Sequence, residues 1–421
     1  MSGPYAGLTV VELGQFVVVP FCAQLLADAG ARVIKVEPLT GDSYRSWEDG
    51  LGETQSRQFL IKNRGKESVA VDLGHPDGAQ VVRRLLEVAD VVLVNLSPAA
   101  VRRRGLDYES VREVNPRIVY GAVSAYGHVG PEAPLPGMDV VVQARSGLLT
   151  SLGAERDGVP HHSEVQVADY ASSLLLFGGI GAALYARERT GEGQEVTVSL
   201  LAGALAVQNN SLGHVHEHDG WRQRFVGEQL PAFRAEGADH ARVEATRRAQ
   251  RPDAPQHTAH YRVFATSDGY VAVGAGSPAA RRRLCELVDL PEELPTADPA
   301  AFGELLATAL RQRTTDDWVT ALREAQVPVA PVRHVDELFF DEHVLAEGLL
   351  VDYDHPSVGS YRALGVPVRM GGTPWGGAPP APELAGHTAS VLTELGYTAA
   401  EISALAEQRA VRVAAPARRS N

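Results

Sequence analysis

The sequence feature that most constrains this chain is a segment, residues 170–189, that is apolar on nearly all sides and rich in Ala and Leu. A helix that is apolar all round has to be buried, so the segment predicts a core helix that ends at Thr190 and Gly191. Asp169 stands immediately before it, where an N-cap or first-turn residue lies. Residues 164–167 alternate polar and apolar side chains, like the end of a strand.

Asp169 has two interpretations. At a helix start, unpaired backbone N–H groups and the positive end of the helix dipole are expected to hold its carboxylate ionised, even where water is partly excluded. Such a carboxylate can act as a nucleophile. By position alone, however, the ordinary role of an aspartate there is to cap the helix. Its surroundings decide between the two roles.

Composition narrows the class of protein. The 421 residues are 44% hydrophobic and 22% charged, which is enough for two globular domains. A net charge of −13 argues against nucleic acid as the main partner, because phosphate binding needs a basic surface. Cys22 and Cys285 are too few for a disulfide framework, which favours a cytoplasmic protein. The N-terminus lacks a basic region followed by an apolar run, and no run approaches about 20 apolar residues, so we expect neither export by that route nor a membrane span.

Five apolar runs alternate with helical segments in the first part of the chain. We expect strands at residues 8–13, 31–37, 68–73, 91–95 and 117–124, and helices at 20–29 and 76–89. The order strand, helix, strand predicts right-handed parallel units. The predicted fold class is α/β, with a Rossmann-like open parallel sheet and a ligand at the carboxyl ends of its strands.

A nicotinamide dinucleotide is the first ligand that such a sheet suggests. Glu37 ends the second predicted strand, where a ribose-binding acid would stand. The loop after the first strand, residues 14–20, reads GQFVVVP and has no G-x-G-x-x-G. Its branched side chains would keep a pyrophosphate away from the backbone. We therefore reject the dinucleotide interpretation, because the glycine motif that it requires is absent.

The rest of the chain divides into a large and a small domain. We assign residues 1–200 to a large Rossmann-like domain completed by 330–421, residues 201–260 to a polar linker or excursion, and 261–329 to a small α+β domain. In the small domain a hairpin is predicted around Asp268, with helices at 278–288 and 316–325.

Several histidines fall in or beside the polar excursion, namely His214, His216, His218, His257 and His260. Strand alternation would align the first three on one face and allow a metal site. The segment is not clearly a strand, however, and no carboxylate or cysteine cluster completes the ligand set. We therefore expect no metal and favour a solvated linker.

Ten stretches of the chain resemble the class III coenzyme A transferases, the family of formyl-CoA and carnitine CoA-transferases that also contains α-methylacyl-CoA racemase. The stretches are residues 10–38, FLIKNRGKESVAVDL, VNLSPAAVRRRGLDY with NPRIVYGAVSAYG, PGMDVVVQARSGLL, Asp169 with its helix, RERTGEGQEVTVSLL, FATSDGYVAV, VPVAPV and GHTASVLTELGY. The resemblance implies that Asp169 is the catalytic aspartate and that the protein is an interlocked homodimer. It implies acyl-CoA and a small carboxylic acid as substrates, with no tightly bound cofactor.

In this family the aspartate carries the acyl exchange through covalent intermediates, each of which passes through an oxyanion. The glycine-rich loop that some relatives use to shield these intermediates has no counterpart between residues 220 and 260. Gln15 and Gly147 are therefore candidate supporting residues, because oxyanion donors are expected among the backbone amides of residues 15–18 or 146–147. Asp139 is expected to hydrogen-bond the segment around Asp169, with a possible role in supporting the intermediate.

The coenzyme itself is expected beside the fourth predicted strand. Three adjacent arginines on one helix, residues 102–104, cannot all face one ligand, so one or two should contact phosphate by their fork geometry. Pro38 stands where several relatives place an adenine-stacking arginine, and Lys35 is expected to be structural or to line the pocket rim. The predicted CoA contacts are Val17, Val18, Pro38, Asn95, Arg103, Arg104 and Met138.

Two alternatives to transfer remain. The racemase branch pairs its aspartate with a histidine in a G-H-D stretch, whereas this chain has Gly137, Met138 and Asp139, and methionine cannot move a proton. Transfer is therefore favoured over racemisation. The third hypothesis is a CoA-binding protein without turnover, which the valines at 17 and 18 favour and the retained Asp169 disfavours.

Overall fold

A computed structural model describes residues 3–47, 51–52, 54–251 and 259–414. Its strands are Thr9–Leu13 (β1), Arg32–Glu37 (β2), Lys66–Val71 (β3), Val91–Val94 (β4), Val119–Ser124 (β5), Glu155–Arg156 (β6), Val159–Pro160 (β7), Gln194–Ser199 (β8), Tyr261–Ala265 (β9), Tyr270–Gly274 (β10), Val329–Pro331 (β11), Leu350–His355 (β12), Gly359–Leu364 (β13) and Val411–Arg412 (β14).

The α-helices are Val18–Asp28 (α1), Arg57–Leu60 (α2), Pro76–Val88 (α3), Pro98–Arg103 (α4), Tyr108–Val114 (α5), Asp139–Arg145 (α6), Leu148–Leu152 (α7), Val167–Thr190 (α8), Leu200–Ala206 (α9), Asn209–Leu212 (α10), Gly220–Arg224 (α11), Leu230–Glu236 (α12), His240–Ala249 (α13), Pro278–Val288 (α14), Leu294–Ala297 (α15), Pro299–Leu310 (α16), Thr315–Glu324 (α17), Glu342–Ala346 (α18), Thr388–Glu394 (α19) and Ala399–Glu407 (α20). Short 3-10 turns cover Ser43–Ser46 and Val335–Phe340, and a π-helical turn covers Phe225–Gln229.

A seven-stranded sheet in the order β14-β3-β2-β1-β4-β5-β8 dominates the fold. All neighbouring strands run parallel except β14, which pairs antiparallel with β3 at one edge. The predicted mixed α/β class with a parallel-dominated sheet is confirmed. Because the carboxyl ends of parallel strands meet at one edge, the loops after β1 to β5 gather there.

Both faces of the sheet are covered by helices. Successive residues of β1 point to opposite faces of the sheet. Val10 packs in a cluster with buried residues of α1 and α8. Val11 packs in a second cluster with buried residues of α3, α19 and α20. A parallel sheet covered on both faces needs apolar residues in succession, which is why its strands read as continuous apolar runs.

The long apolar helix α8 begins at Val167, so residues 164–167 are not the strand end that their alternation suggested. It ends at Thr190 and is capped by Gly191, whose φ of 80° is the left-handed conformation that favours glycine. By length and composition this helix alone, among the described residues, is sufficient to cross a membrane, which corrects the expectation that no apolar run approaches that length. Its buried residues, such as Leu176 and Ile180, pack in the core beside the sheet.

The chain separates into two compact units, one of residues 1–156, 160–213 and 342–421 and the other of 157–159 and 214–341. The second unit contains an antiparallel sheet in the order β11-β10-β9 and a core formed with α14, α16 and α17. Its hairpin of β9 and β10 is confirmed. The polar segment that the sequence favours as a linker contains α11, α12 and α13 instead. These helices are half-exposed and Arg-rich, so they lack the apolar period from which a helix is predicted.

Candidate active site

Two cavities open at the carboxyl edge of the large sheet. The Asp169 cavity, of about 300 Å³, adjoins the ends of β1, β4 and β5. The Arg103 cavity, of about 510 Å³, adjoins the ends of β1, β2 and β3 and one face of α4. The predicted site residues that line the Asp169 cavity are Val17, Val18, Asn95, Met138, Asp139 and Asp169. Those that line the Arg103 cavity are Gln15, Pro38, Arg103 and Arg104.

Asp169 lies in the first turn of α8, but another residue caps that helix. Oδ1 of Asp139 accepts hydrogen bonds from the backbone N–H groups of Ala168, at 2.9 Å, and Asp169, at 3.1 Å. The other oxygen of Asp139 accepts one from Gln143 Nε2. The expected hydrogen bond from Asp139 to the segment around Asp169 is therefore present. Because Asp139 satisfies the first amides of α8, the Asp169 carboxylate is left to line the cavity.

The protonation state of Asp169 differs from the expectation. Burial and the repulsion of nearby Asp139 raise the pKa of Asp169 to about 7, and the attraction of Lys62 only partly opposes them. The helix amides that were expected to hold the group ionised are bonded to Asp139 instead. Asp169 is consequently a carboxylate that changes charge near neutral pH, as a buried acid beside a like charge does.

The loop between β1 and α1 forms one wall of the Asp169 cavity. Gln15 is fixed by two hydrogen bonds with Asn95, since its N–H donates to Asn95 Oδ1 and its carbonyl accepts from Asn95 Nδ2. Phe16 has a φ of 69°, a left-handed backbone conformation that is uncommon outside glycine and typical of tightly specified functional loops. The loop is therefore held in one conformation by contacts on both sides.

Helix α1 begins at this wall without a cap. Val17 makes no side-chain capping hydrogen bond, and the first turn carries no acidic residue. Within the described part of the chain, no hydrogen bond engages the backbone N–H groups of Val17 and Val18, although both residues line the Asp169 cavity. Uncapped amides at a helix N-terminus bind anions, so this end of α1 suits a developing oxyanion.

Gly147 lies outside both cavities. It lies between α6 and α7 with a φ of 77° and lines neither cavity. Its N–H donates to the carbonyl of Ala144, and the N–H of Ser146 donates to that of Val142, so both amides complete the end of α6. These hydrogen bonds use the donors that were assigned to an oxyanion, and the supporting role of Gly147 stays a prediction.

Arg103 and Arg104 line the larger cavity, whereas Arg102 does not, in keeping with the geometry expected of three adjacent arginines on one helix. Glu37 also lies at this cavity, but its carboxylate is buried and receives a bidentate pair from Arg45 at 2.7 and 2.9 Å. Burial alone would raise the pKa of Glu37, but Arg45, Lys35 and Ser68 outweigh it and lower that pKa to about 2. A carboxylate engaged in this way is not available to a ribose.

Lys35 is structural, which is one of the two roles predicted for it. Its fully buried Nζ donates to Glu12 Oε1 at 2.7 Å and to the carbonyl of Gly14 at 2.8 Å, and it forms an ion pair with Asp42 Oδ2 at 2.8 Å. Lys66 reaches the other oxygen of Glu12 at 2.7 Å. This buried network fixes the start of the loop that leads from β1 into the Asp169 cavity.

Lys62 is a residue near the site that sequence reasoning missed. Its side chain is buried, Nζ donates to Gln58 Oε1 at 2.7 Å, and it lies 5.2 Å from the centre of the Tyr44 ring. Burial lowers the pKa of Lys62 to about 8, against the attraction of Asp169 and Asp42. Its only sequence signal is a lysine beside Asn63 and Arg64 in one of the family-like stretches, which does not reveal that it lies near Asp169.

No group of three or more metal-ligand side chains occurs within the described ranges. His214 and His216 contact each other edge to face, with ring centres 4.8 Å apart. His257 lies outside the described residues.

Comparison with known proteins decides the family. The protein-family model described as CoA-transferase family III matches residues 5–388. The chain belongs to CoA-transferase family III. The succinate–glutarate CoA-transferase of Agrobacterium fabrum is 32% identical over 409 residues, which cover 93% of this chain and 96% of that protein. The acetyl-CoA:oxalate CoA-transferase of Acetobacter aceti is 30% identical over 88% of this chain and 90% of its own.

Solved structures agree. A CaiB/BaiF family protein from Brucella suis has a TM-score of 0.73 and 29% identity, over 94% of this chain and 100% of that one. The Mycobacterium tuberculosis protein Rv3272 has a TM-score of 0.76 and 26% identity, over 93% and 99%. The family III CoA-transferase fold therefore extends over nearly the whole chain.

Within this family III CoA-transferase, Met138 lies where the racemase interpretation requires a histidine. It lines the Asp169 cavity and is 55% exposed, and its thioether cannot carry a proton. The relatives reported above are transferases, in agreement with the preferred reaction class.

Proposed function

We propose that Asp169 is the nucleophile of a CoA transfer from an acyl-CoA donor to a carboxylic acid. The observation that carries the proposal is that Asp139 and Asp169 have different roles. Asp139 caps α8, which leaves Asp169 in a cavity beside the uncapped end of α1. The nucleotide of CoA would occupy the Arg103 cavity and the thioester the Asp169 cavity. Leu96 lines both, which supports one ligand that extends from one cavity into the other.

Four balanced steps complete the reaction. The Asp169 carboxylate attacks the thioester carbonyl and expels CoA thiolate, which leaves a mixed anhydride. The thiolate then attacks the aspartyl carbonyl, releases the donor acid and forms an aspartyl thioester. The acceptor carboxylate attacks this thioester and expels CoA thiolate again. Finally the thiolate attacks the acceptor's acyl carbonyl, which yields the new acyl-CoA and restores the Asp169 carboxylate.

Each addition step passes through an oxyanion that needs hydrogen-bond donors. The unbonded amides of Val17 and Val18 are suited to that role, because a helix N-terminus offers fixed N–H groups and a positive potential. They are already oriented before substrate arrives, so little reorganisation accompanies the step. This supplies donors without the glycine-rich loop of other relatives.

The acceptor is proposed to be a small carboxylic acid. Relatives named for succinate, glutarate and oxalate make dicarboxylic acids the first acceptors to test. No tightly bound cofactor and no metal ion enter the four steps. We further propose a cytoplasmic, interlocked homodimer with a Rossmann-like large domain. The strand order supports the Rossmann-like domain, and the exposed apolar residues Leu174, Leu175 and Tyr185 on α8 support a contact with a second copy. The cytoplasmic location rests on the low cysteine count.

The test is an acyl-exchange assay with succinyl-CoA and a panel of carboxylic acids, read by mass spectrometry. Wild-type protein is expected to form new acyl-CoA with at least one acid, and Asp169→Asn is expected to lose at least about a thousandfold in rate. CoA binding without exchange in the whole panel would favour a binding protein. Deuterium entering the α-carbon of a branched acyl-CoA would instead indicate a racemase.

A further inference from the structure

Lys62 is an exception among the buried cations of this protein. The described residues contain six buried lysines and arginines, namely Lys35, Arg45, Lys62, Arg64, Lys66 and Arg187. Five of them have a carboxylate oxygen within 3.1 Å, from Glu12, Asp42, Glu37, Asp28 or Asp90. Lys62 has no such partner within the described ranges and donates to the neutral amide of Gln58. A buried charge without a partner is costly, so its retention calls for an explanation.

The surroundings of Lys62 connect it to the nucleophile. Its ammonium lies over the ring of Tyr44, which contacts Phe16 edge to face with ring centres 5.4 Å apart. Phe16 lines the Asp169 cavity, and Tyr170, the residue after Asp169, packs in the same apolar cluster as Tyr44. Lys62 and Asp169 thus both border one layer of aromatic side chains, formed by Tyr44, Phe16 and Tyr170.

Charges act strongly across such a layer, because little solvent screens them. The titratable groups around Asp169 are Asp139 on α6, Lys62 after α2, Tyr44 in the 3-10 turn and Tyr170 on α8 itself. Among these groups, all of which lie within the described residues, Lys62 is the one cation. Lys62 is attracted in turn by Asp169 and, to a lesser extent, by Asp42, which Lys35 already pairs at 2.8 Å.

We propose that Lys62 is the counter-charge of Asp169, a positioning residue that keeps the nucleophile ionised in its cavity by acting across the Tyr44 ring. The inference depends on the proposed role of Asp169. It adds a residue whose charge, rather than any contact with substrate, sets the pH range of transfer. It also explains why this lysine is buried beside a neutral amide, since its anion is the nucleophile itself.

The pH range follows from the two groups together. The pKa of Asp169 is raised to about 7 and that of Lys62 is lowered to about 8, so the ionised nucleophile and the protonated lysine coexist mainly between these values. Without the lysine charge, the pKa of Asp169 would rise further. Activity at neutral pH should then fall, and it should return once the pH is high enough to ionise Asp169 unaided.

The first test compares pH profiles of kcat/KM for Lys62→Met and Lys62→Arg, with succinyl-CoA and glutarate as substrates. Lys62→Met should move the acid limb up by about one pH unit, with about a tenfold loss at pH 6 and near-normal activity at pH 9. Lys62→Arg keeps the charge and should restore the wild-type limb. Arg187→Met is the matched control, because this buried cation lies in the last turn of α8 and pairs with Asp90; it should lower the Tm and leave the limb in place.

An unmoved acid limb in Lys62→Met would overturn the inference. A raised KM for glutarate with an unmoved limb would also overturn it and assign Lys62 to acceptor binding. If Asp169→Asn keeps full activity, the proposed function itself fails. If Asp169→Asn is inactive while the limb of Lys62→Met stays in place, only the role of Lys62 fails.

The second test needs no substrate. Asp169→Asn removes a costly buried charge, and this cost should be larger when Lys62 is absent. The rise in Tm at pH 8 caused by Asp169→Asn should therefore be greater in a Lys62→Met background than in the wild-type background. Equal rises in both backgrounds would show that the two groups do not interact. Lys62→Met should itself fold, because it replaces a buried charge by an apolar chain of similar length.

Discussion

At the residue scale, two carboxylates 30 positions apart have separate tasks at the start of α8. Asp139 satisfies the amides of Ala168 and Asp169, and this frees the Asp169 carboxylate for chemistry. We predict that Asp139→Ala lowers the free energy of unfolding by about 1–2 kcal/mol, the usual cost of a lost helix cap. The comparison belongs at pH 5, where Asp169 is protonated and its repulsion with Asp139 does not offset the loss. An unchanged urea midpoint at that pH would refute the capping role.

Asp169 itself should destabilise the fold at neutral pH. Its pKa is about 7 in the folded protein and 3.8 in the reference state, so the unfolded chain releases this proton first as pH rises. Stability is therefore lost between about pH 4 and 7, by up to about 4 kcal/mol. We predict that Asp169→Asn raises the free energy of unfolding at pH 8 and has little effect at pH 4, measured by urea titration.

The control for that measurement is Asp354→Asn, on an exposed position of β12, which should change stability little at either pH. A gain from Asp169→Asn that is equal at pH 4 and pH 8 would contradict the raised pKa. So would a loss of stability at pH 8.

Single residues show where sequence reasoning ends. Asp169 was found because it precedes a long apolar segment, and the Asp139 hydrogen bond was anticipated at a distance of 30 positions. The ionisation state of Asp169 was not anticipated, because it depends on which carboxylate accepts hydrogen bonds from the first amides of α8. Lys62 was missed for a similar reason: the partners of buried cations come from distant positions, as Asp28 does for Arg64, and no local pattern reveals the cation that lacks one.

At the element scale, the N-terminus of α1 is the predicted source of oxyanion stabilisation. Replacing Val18 by the corresponding α-hydroxy acid removes one N–H and keeps the side chain. We predict a loss of about 100-fold in kcat with little change in KM for acyl-CoA, because the donor acts mainly in the transition state. The control is the same replacement at Ala399, the first residue of α20, which lines neither cavity. A kcat equal to that of the control would remove α1 from the mechanism.

The loop after β2 is held by the buried pair of Glu37 and Arg45. Since the pKa of Glu37 is lowered to about 2, the pair stabilises the fold above about pH 4.5, and that contribution is lost as pH falls through 2. We predict that Glu37→Gln lowers the free energy of unfolding at pH 7 by about 3 kcal/mol, the usual cost of breaking a buried pair.

A matched exposed pair provides the contrast. Asp352→Asn breaks the surface contact with Arg362 and should have no measurable effect on the thermal midpoint. A small effect of Glu37→Gln, similar to that of Asp352→Asn, would show that burial adds nothing to the first pair.

Elements of the large sheet followed from the sequence because a two-sided sheet demands uninterrupted apolar strands. The edges and caps did not follow. Strand β14 has only two residues and is defined by pairing with β3, and α6, with seven residues, is too short to show a period. In the second unit, α11 to α13 were read as a linker for the same reason. Short or polar elements depend on distant contacts that one sequence does not display.

At the scale of the whole molecule, the parallel sheet gathers the predicted site from distant parts of the chain. The loops after β1, β2 and β4, the start of α6 and the start of α8 all reach the carboxyl edge. Ten of the eleven residues assigned from the sequence line one of the two cavities, and only Gly147 does not. This placement is a property of the fold. What remains to be measured is the covalent step at Asp169, which is the central claim.

That step is measured most directly by trapping. The protein is mixed with succinyl-CoA, quenched with hydroxylamine and digested, and the peptide that contains Asp169 is analysed by mass spectrometry. We predict a hydroxamate on Asp169 that requires succinyl-CoA and is absent from Asp169→Asn. Continued acyl exchange with no modification of Asp169, or with the modification on another residue, would contradict the covalent role of this carboxylate.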